Sequence, residues 1–507
     1  MQPQRLPAAG PAREALREKG QFWTPDWIAQ AMVSYVLQSE TDHIFDPAVG
    51  AGAFFKAAKV IGERLGSRIE LLGAEIDQAA LQQAAQHGLT ADDLASVQMS
   101  NFVLHPPARR FNAIVANPPY IRHHRLPAEV KAYLKTYSAN LLGAAIDGRA
   151  GLHIYFLLRA LQLLAPGGRL AFIMPADTCE GVFARPLWEW ITQRYHLEAV
   201  VTFTPAASPF PQVDTNPMIF LIRKTEPATD FWWTQCAQAE TTQLQTWIRS
   251  GFGAEPDGPL RIHHRPLSEG LSTGLSRPPA AERQSGIVLA DVARVWRGIA
   301  TGANDFFFLT REQARSLEIP DEFLRLAVGR TRDVDGNTIT PGMLQQLQAA
   351  GRPTLLLSLD GRPLAGFPPS VQHYLLEGEK LGLPQRPLIA QRRPWYKMEV
   401  RAVPPFLFAY LGRRHARFIR NIASVMPLTG FLCVYPHESD PAFLEKLWSA
   451  LTHPDTLANL PLVGKSYGAG AIKVEPRALE RLPIPASASR AAGLEAVKQY
   501  RQPTLFS

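Results

Sequence analysis

The chain has 507 residues, 46% of them hydrophobic and 19% charged, which is sufficient for several packed domains and excludes global disorder. Three widely separated cysteines, Cys179, Cys236 and Cys433, argue against a disulfide framework and favour a reducing cytoplasm. Residues 1–20 lack the apolar core of a signal peptide, and no apolar run reaches membrane-spanning length. The net charge of +8 favours a polyanionic partner without identifying it.

Hydrophobic periodicity predicts alternating strands and helices in the first half of the chain. In chain order these are helix 26–37, strand 43–45, helix 55–65, strand 69–74, helix 78–87, strand 97–99, strand 111–116, helix 151–164, strand 169–174, helix 183–195, strand 197–203 and strand 217–223. Such alternation is typical of a doubly wound, mostly parallel α/β sheet. The last two strands follow one another directly, so we expect an antiparallel strand at the sheet edge.

Changes in composition predict the domain organisation. We expect a mobile lead over 1–20 and an α/β domain over 21–224. Pro, Gly, Ser, Thr and Gln accumulate over 225–285, which predicts a linker with some structure of its own. Short strands and frequent prolines over 286–485 predict an α+β or β-rich domain, followed by a tail over 486–507.

The ends of the first two predicted strands carry the residue types of a nucleoside site. Strand 43–45 runs into the small-residue loop 46–54, whose glycines permit close backbone approach to a ligand. This loop lacks a complete G-x-G-x-x-G and a following phosphate-binding lysine, so a ligand without pyrophosphate is indicated. Glu75 ends the second strand, where an acid can accept hydrogen bonds from ribose hydroxyls.

The stretch Asn117-Pro118-Pro119-Tyr120 follows the apolar strand 111–116. Two prolines cannot continue a sheet ladder, while their carbonyls remain free acceptors. The resulting turn offers an amide, carbonyls and a tyrosine face, which suits a flat ligand with an exocyclic amino group. Taken alone, the stretch is equally consistent with a strand that ends in an ordinary loop.

Five features taken together resemble the S-adenosylmethionine-dependent amino-methyltransferases of DNA. They are Phe22-Trp23-Thr24-Pro25, Asp46-Pro47-Ala48-x-Gly50-x-Gly52, Glu75-Ile76-Asp77, Asn101-Phe102 and Asn117-Pro118-Pro119-Tyr120. Their order is that of the gamma class and is similar to the TaqI-like adenine-specific restriction–modification methyltransferases. The resemblance implies a Rossmann-like methyltransferase sheet followed by a C-terminal target-recognition domain for DNA.

The resemblance also implies roles for individual residues. The residues expected to bind S-adenosylmethionine are Thr24, Asp46, Pro47, Ala48, Gly50, Glu75, Asn101, Phe102 and Phe156. At Asn101 the family usually has Asp, and an amide oxygen there can still accept from the cofactor adenine. Phe156 would pack against that adenine, although its spacing alone favours a helix-core aromatic.

The residues expected at the methyl-transfer site are Asn117, Pro118, Pro119, Tyr120 and Phe210. By the resemblance, the Asn117 oxygen and the Pro118 carbonyl accept hydrogen bonds from the N6 amino group of a flipped-out adenine. Tyr120 and Phe210 hold that base between their rings.

Three C-terminal segments, 296–307, 394–396 and 466–474, resemble parts of TaqI-like specificity domains. Between Leu388 and Cys433 eight Lys or Arg stand against one acid, which is consistent with phosphate contact or with a solvated basic face. The residues expected to bind DNA are Arg392, Arg393, Trp395, Tyr396, Lys397, Arg413, Arg414, Arg417 and Lys473.

These features predict a cytoplasmic, monomeric modification enzyme that binds double-stranded DNA and neither a membrane nor a metal. No acidic cluster of a nuclease is recognisable, so we expect it to act either with a separate cognate restriction endonuclease or alone. Two alternatives remain: an RNA or protein-glutamine N-methyltransferase, since some of these carry Asn-Pro-Pro-Tyr, and a catalytically decayed DNA-binding specificity protein.

Overall fold

The computed structural model describes residues 22–38, 41–179, 183–211, 215–253, 258–279, 287–409, 416–466 and 472–494. The chain divides into two compact units, one of 1–280 with 466–470 and one of 281–465 with 471–507. The predicted lead 1–20 and the tail beyond Leu494 lie outside the described residues. Within the described ranges, none of the helices is both long enough and apolar enough to span a membrane.

The first unit alternates strands and helices much as the periodicity predicts. Its strands are β1 (His43–Asp46), β2 (Glu70–Glu75), β3 (Val97–Met99), β4 (Phe111–Ala116), β5 (Leu164–Pro175), β6 (His196–Phe203), β7 (Pro217–Arg223), β8 (Asp230–Cys236) and β9 (Leu260–Pro266). Its helices are α1 (Asp26–Val36), α2 (Ala53–Leu65), α3 (Gln78–Gln86), α4 (Ala91–Leu94), α5 (Ala128–Leu142), α6 (Leu152–Leu163), α7 (Ala184–Thr192), α8 (Gln243–Arg249) and α9 (Leu267–Thr273).

The strands form one sheet in the order β3-β2-β1-β4-β5-β7-β6-β8-β9. β1 is parallel to β2 and to β4, with Asp46 opposite Gly73 and Phe45 opposite Ile114. Because parallel strands end at the same edge, the loops that follow β1, β2 and β4 meet there. The predicted fold class, a mostly parallel Rossmann-like sheet, is confirmed in this unit.

Two details of the predicted sheet differ. β7 is antiparallel but lies between β5 and β6, so the antiparallel edge strand is β9 instead. Residues 225–285 are not a linker, because β8 pairs with β6 and extends the sheet. Trp233 and Trp247, which stand out in that polar stretch, are buried in the core of the unit.

Helices cover both faces of this sheet. Ile114 of β4 packs in the cluster that contains Leu157 of α6, whereas its neighbour Val115 packs in the cluster that contains Phe55 of α2. This alternation is the two-residue period of a strand buried on both faces. It leaves Asn117 as the first polar residue past the buried strand.

The second unit is an α+β structure rich in short strands, as its composition predicts. The strands after residue 286 are β10 (Ile287–Val288), β11 (Ala293–Arg297), β12 (Phe308–Leu309), β13 (Leu324–Val328), β14 (Thr338–Ile339), β15 (Leu355–Leu357), β16 (Phe406–Ala409), β17 (Arg417–Asn421), β18 (Met426–Pro427), β19 (Phe431–Pro436), β20 (Lys465–Ser466), β21 (Ile472–Lys473) and β22 (Pro483–Ile484). A five-stranded sheet in the order β11-β19-β16-β17-β14 and a four-stranded sheet in the order β12-β15-β13-β18 form the framework of this unit. The helices are α10 (Asn304–Phe307), α11 (Arg311–Ser316), α12 (Pro341–Ala349), α13 (Pro369–Lys380), α14 (Pro441–Thr452), α15 (Pro454–Ala458), α16 (Leu460–Val463), α17 (Pro476–Leu479) and α18 (Ala486–Ala491).

Candidate active site

A cavity of about 350 Å³ lies in the first unit, where the loops after β1, β2 and β4 meet. Most of the residues predicted to bind the cofactor or to act in transfer line it: Thr24, Pro47, Ala48, Gly50, Glu75, Asn101, Phe102, Asn117, Pro119 and Phe156. Asp46 and Pro118 are buried next to residues that line it. Tyr120 and Phe210 each pack against the ring of Phe22, which lines the cavity. The structure therefore brings together residues that are spread over nearly two hundred positions of sequence.

The loop after β1 follows a path that requires glycine. Gly50 and Gly52 have φ of +54° and +79°, in the left-handed region that other residues seldom adopt. A Cβ on Gly52 would also overlap the side chain of Leu89. The backbone can therefore turn tightly from β1 into α2 and leave the cavity open beside it.

The carboxylate of Glu75 ties this loop to the end of β2. One oxygen accepts the Gly50 N–H at 2.8 Å, and the other accepts the N–H groups of Ile76 and Asp77, both at 2.8 Å. Three backbone donors orient a buried carboxylate that also lines the cavity. A carboxylate has about four lone-pair sites, so this group retains capacity to accept from a ligand.

Asp46 is fully buried at the end of β1. Its Oδ1 accepts the Ala48 N–H at 2.9 Å, while its Oδ2 has no hydrogen-bond partner among the described residues. Burial, and then the negative charge of nearby Glu75, raise the pKa of this carboxyl to about 8. A cationic group of a ligand placed beside this carboxyl would lower its pKa and pair with the ionised form.

The side-chain amide of Asn117 is oriented by the segment before α1. Its Nδ2 donates to the carbonyl of Phe22 at 2.8 Å and to the hydroxyl of Thr24 at 3.1 Å. Both hydrogens of the NH₂ group are thereby used, which leaves the amide oxygen as the acceptor at the end of β4. Thr24, predicted as a cofactor contact, is buried, lines the cavity and also positions Asn117.

Three aromatic rings cluster beside this amide. The ring of Phe22 lies 5.6 Å from that of Tyr120 and 6.0 Å from that of Phe210, between centroids. The Tyr120 hydroxyl donates to the carbonyl of Ile173 at 3.2 Å, which anchors the outer end of that ring. Sequence reasoning did not assign Phe22 to the site, although its place directly before Trp23-Thr24-Pro25 was an available signal.

Asn101 differs from its predicted use. Its Oδ1 accepts the N–H groups of Val103 at 3.1 Å and Leu104 at 3.2 Å, so the oxygen expected to accept from adenine closes a turn instead. The NH₂ group is what this amide retains for a ligand. Phe102 and Phe156 pack together at 5.4 Å and line the same end of the cavity, where both were expected.

Several residues predicted to bind DNA make contacts within the second unit. Arg392 donates to the carbonyls of Ala300 at 2.6 Å and Thr301 at 2.8 Å. Tyr396 is buried, with its hydroxyl donating to the Arg362 carbonyl, and Trp395 packs on Phe306.

The other predicted DNA contacts fall into three groups. Arg417 donates to the carbonyls of Gly336 at 2.9 Å and Val334 at 2.7 Å, so it supports a turn. Arg393 and Lys397 are exposed, and within the described part of the chain Arg393 donates locally, to the carbonyls of Ala390 and Arg392. Outside the described residues lie Arg413 and Arg414, together with the side chain of Lys473.

Two family models account for most of the chain. Residues 10–243 match the N-6 DNA methylase family, and residues 280–504 match the C-terminal domain of the type II methyltransferase M.Eco57I. The chain carries an N-6 DNA methylase domain followed by a domain of the M.Eco57I C-terminal type. The resemblance that the five motifs predicted is thereby confirmed.

Individual relatives agree with this N-6 DNA methylase assignment. Over 479 residues the chain is 23% identical to the type II methyltransferase M.AccI of Acinetobacter calcoaceticus, covering 92% of this chain and 85% of the relative. It is 28% identical to M.XamI of Xanthomonas campestris pv. amaranthicola with the same coverage. In fold, the chain is similar to the type IIL restriction–modification enzyme MmeI, solved in complex with DNA, with a TM-score of 0.53 at 13% identity. That similarity covers 94% of this chain and 64% of MmeI.

Proposed function

We propose that this protein transfers a methyl group from S-adenosylmethionine to N6 of an adenine in double-stranded DNA, as the modification enzyme of a restriction–modification system. The orientation of Asn117 is the observation that carries the proposal. Its NH₂ group is held by Phe22 and Thr24, so an amide oxygen is presented beside an aromatic cluster. An acceptor next to flat rings is what a base with an amino group requires.

The residues around the cavity fit the cofactor. Phe102 and Phe156 offer an apolar end for its adenine, and the Glu75 carboxylate can accept from ribose hydroxyls. The cofactor's ammonium group would be compensated by the Asp46 carboxyl, whose unpartnered Oδ2 becomes an acceptor once the cation lowers its raised pKa and displaces the proton. When bound, S-adenosylmethionine supplies an electrophilic methyl group on a sulfonium.

The chain's own contribution to catalysis is positioning. The lone pair of the adenine amino nitrogen is conjugated with the ring and is poorly available. Hydrogen bonds from that amino group to the Asn117 oxygen and the Pro118 carbonyl draw the nitrogen toward tetrahedral geometry. The acceptors stand where positive charge develops, so no strong general base or covalent nucleophile is required.

The target adenine has to leave the duplex to reach Asn117. Tyr120 and Phe210, which both pack against Phe22, provide the aromatic surface that replaces lost base stacking, at about 1–3 kcal/mol for each contact. We assign recognition of the DNA sequence to the second unit, through Arg393, Lys397 and the basic segment 413–414. Cleavage of unmodified DNA is assigned to a separate endonuclease.

The test is transfer of tritiated methyl groups to duplex DNA, RNA and protein, followed by sequencing of methylated bases in DNA from expressing cells. We expect N6-methyladenine at one sequence motif in duplex DNA. Asn117→Ala is the matched inactive control, with transfer reduced at least about a hundredfold and cofactor binding retained. Labelled RNA or protein would support the alternative acceptors, and absence of cofactor binding by the wild type would support the decayed protein.

A further inference from the structure

Helix α5 forms part of the wall around the apolar end of the cavity. Val130 and Leu134 line the cavity together with Phe102 and Phe156. They are four residues apart and therefore share one face of the helix. In the sequence, α5 lies between the Asn117 motif and α6. None of its residues was predicted to belong to the site.

Helix α5 buries few apolar side chains. Of its 15 residues, Leu134 and Ser138 are the fully buried ones, while Val130, Tyr137, Leu141 and Leu142 are partly buried against the core. A helix with so small a buried face depends on other contacts for its position.

Those contacts converge on Arg159 of α6. Its Nη2 donates to the Tyr133 hydroxyl of α5 at 2.8 Å, and its guanidinium carbon lies 4.0 Å from the centroid of the Tyr137 ring. The Tyr137 hydroxyl donates to the Gln162 side chain at 2.8 Å, which joins the two helices a second time.

The same guanidinium holds the opposite wall. Nε and Nη2 of Arg159 donate to the Val103 carbonyl at 3.2 Å and 3.0 Å, and Val103 directly follows Phe102. A single planar cation therefore sets the separation between α5 and the loop that carries Phe102. Arginine suits this task because its rigid fork can bond several acceptors while its face stacks on an aromatic ring.

Resting on the proposed function, we infer that Val130 and Leu134 are further contacts of the cofactor's adenine ring, and that Arg159 is a positioning residue that holds them at the correct distance from Phe102. The ligand class is adenosine-containing. The residue acts through both walls and touches neither the target base nor Asn117, whose amide is oriented from Phe22 and Thr24.

The test is calorimetric binding of S-adenosylmethionine and S-adenosylhomocysteine to the full chain. For Arg159→Gln we expect both dissociation constants to rise about tenfold, equivalent to ~1.4 kcal/mol. The turnover number at saturating cofactor should stay within about twofold of wild type, because the transfer site is positioned independently. Arg64→Gln, on the exposed side of α2, is the control that should leave binding unchanged.

Two milder variants keep the test decisive if Arg159→Gln fails to fold. Tyr133→Phe removes one acceptor, and Val130→Ala removes apolar contact, so each should weaken binding of both ligands by about threefold. The double variant Arg159→Gln/Tyr133→Phe should bind as Arg159→Gln does, because Tyr133 acts through the arginine.

Wild-type affinity in folded Arg159→Gln, or in both milder variants, would overturn the inference. So would a turnover number that collapses at saturating cofactor. If the wild type itself bound neither adenosine ligand, the proposed function would fail instead, so the two failures are distinguishable.

Discussion

The amide nitrogen of Asn117 donates to the hydroxyl of Thr24, 93 positions earlier in the chain, over 3.1 Å. With the 2.8 Å bond to the Phe22 carbonyl, this contact decides which end of the amide is available to a substrate. A freely rotating asparagine would present donor and acceptor alike, whereas this one presents an acceptor.

Thr24 should therefore influence the transfer step more than substrate binding. Thr24→Val keeps the shape but leaves one buried N–H of Asn117 without a partner, and we expect the turnover number to fall about tenfold, ~1.4 kcal/mol. Thr24→Ser keeps the hydroxyl and should retain near wild-type turnover. Single-turnover transfer to duplex DNA measures both, and equal rates for the valine and serine variants would contradict this role.

Phe210 should matter most when the target base has to be extracted from an intact duplex. Phe210→Ala removes an aromatic contact of about 1–3 kcal/mol, so transfer to duplex DNA should slow by at least about fivefold. The loss should be smaller on DNA whose target adenine lacks a pairing partner, because that base costs less to flip. A loss of the same size on both substrates would argue against a role for Phe210 in holding the base.

Asn101→Asp should strengthen cofactor binding. One carboxylate oxygen can keep the bonds to the Val103 and Leu104 N–H groups, while the other becomes an acceptor for the adenine amino group. We expect the dissociation constant of S-adenosylmethionine to fall about fivefold, since one added hydrogen bond contributes ~1 kcal/mol. Asn101→Ala is the control that should raise this dissociation constant. If calorimetry shows that Asn101→Asp binds S-adenosylmethionine more weakly than the wild type does, this account is refuted.

The raised pKa of Asp46 makes a prediction about stability and pH. In the unfolded chain the carboxyl ionises near 3.8, whereas in the folded protein it stays protonated up to about 8. Between these values the folded state binds the extra proton, so Asp46 lowers the free energy of unfolding progressively as pH rises through that window. Asp46→Asn removes this effect.

Urea unfolding at pH 5 and pH 8 provides the measurement for Asp46. The stability difference between Asp46→Asn and wild type should be larger, in favour of the variant, at pH 8. A difference that does not change between the two pH values would show that the carboxyl is ionised throughout.

Substitutions of basic residues in the second unit should affect either stability or DNA binding, depending on the residue. Arg392→Gln should lower the free energy of unfolding by about 1.5–3 kcal/mol, because it leaves the Ala300 and Thr301 carbonyls without their charged donor. Arg393→Gln and Lys397→Gln should leave the free energy of unfolding unchanged. Each should reduce the slope of the logarithm of the DNA-binding constant against the logarithm of salt concentration by about one unit. Denaturation and salt-dependent binding titrations distinguish these outcomes.

Much of the first unit follows from local sequence. Strand boundaries such as 111–116 and 217–223 match the structure because their apolar periodicity is local and strong. Glu75, the last residue of β2, and Asn117, directly after β4, both line the cavity, because parallel strands of one sheet end at one edge. The linker prediction for 225–285 was wrong because the pairing of β8 with β6 outweighs a polar, proline-rich composition.

By itself the sequence determined the family, the order of the motifs and the strand ends at which the motifs lie, because each of these depends on short runs of consecutive residues. Only the tertiary structure decided that Thr24 orients Asn117, that Phe22 packs against both Tyr120 and Phe210, and that the oxygen of Asn101 is used within its own turn. It also decided that Arg392 bonds the Ala300 and Thr301 carbonyls and that Tyr396 is buried. The physical reason is that a hydrogen bond or ring contact between distant segments depends on where the whole sheet places their ends, which residue type and spacing alone do not specify.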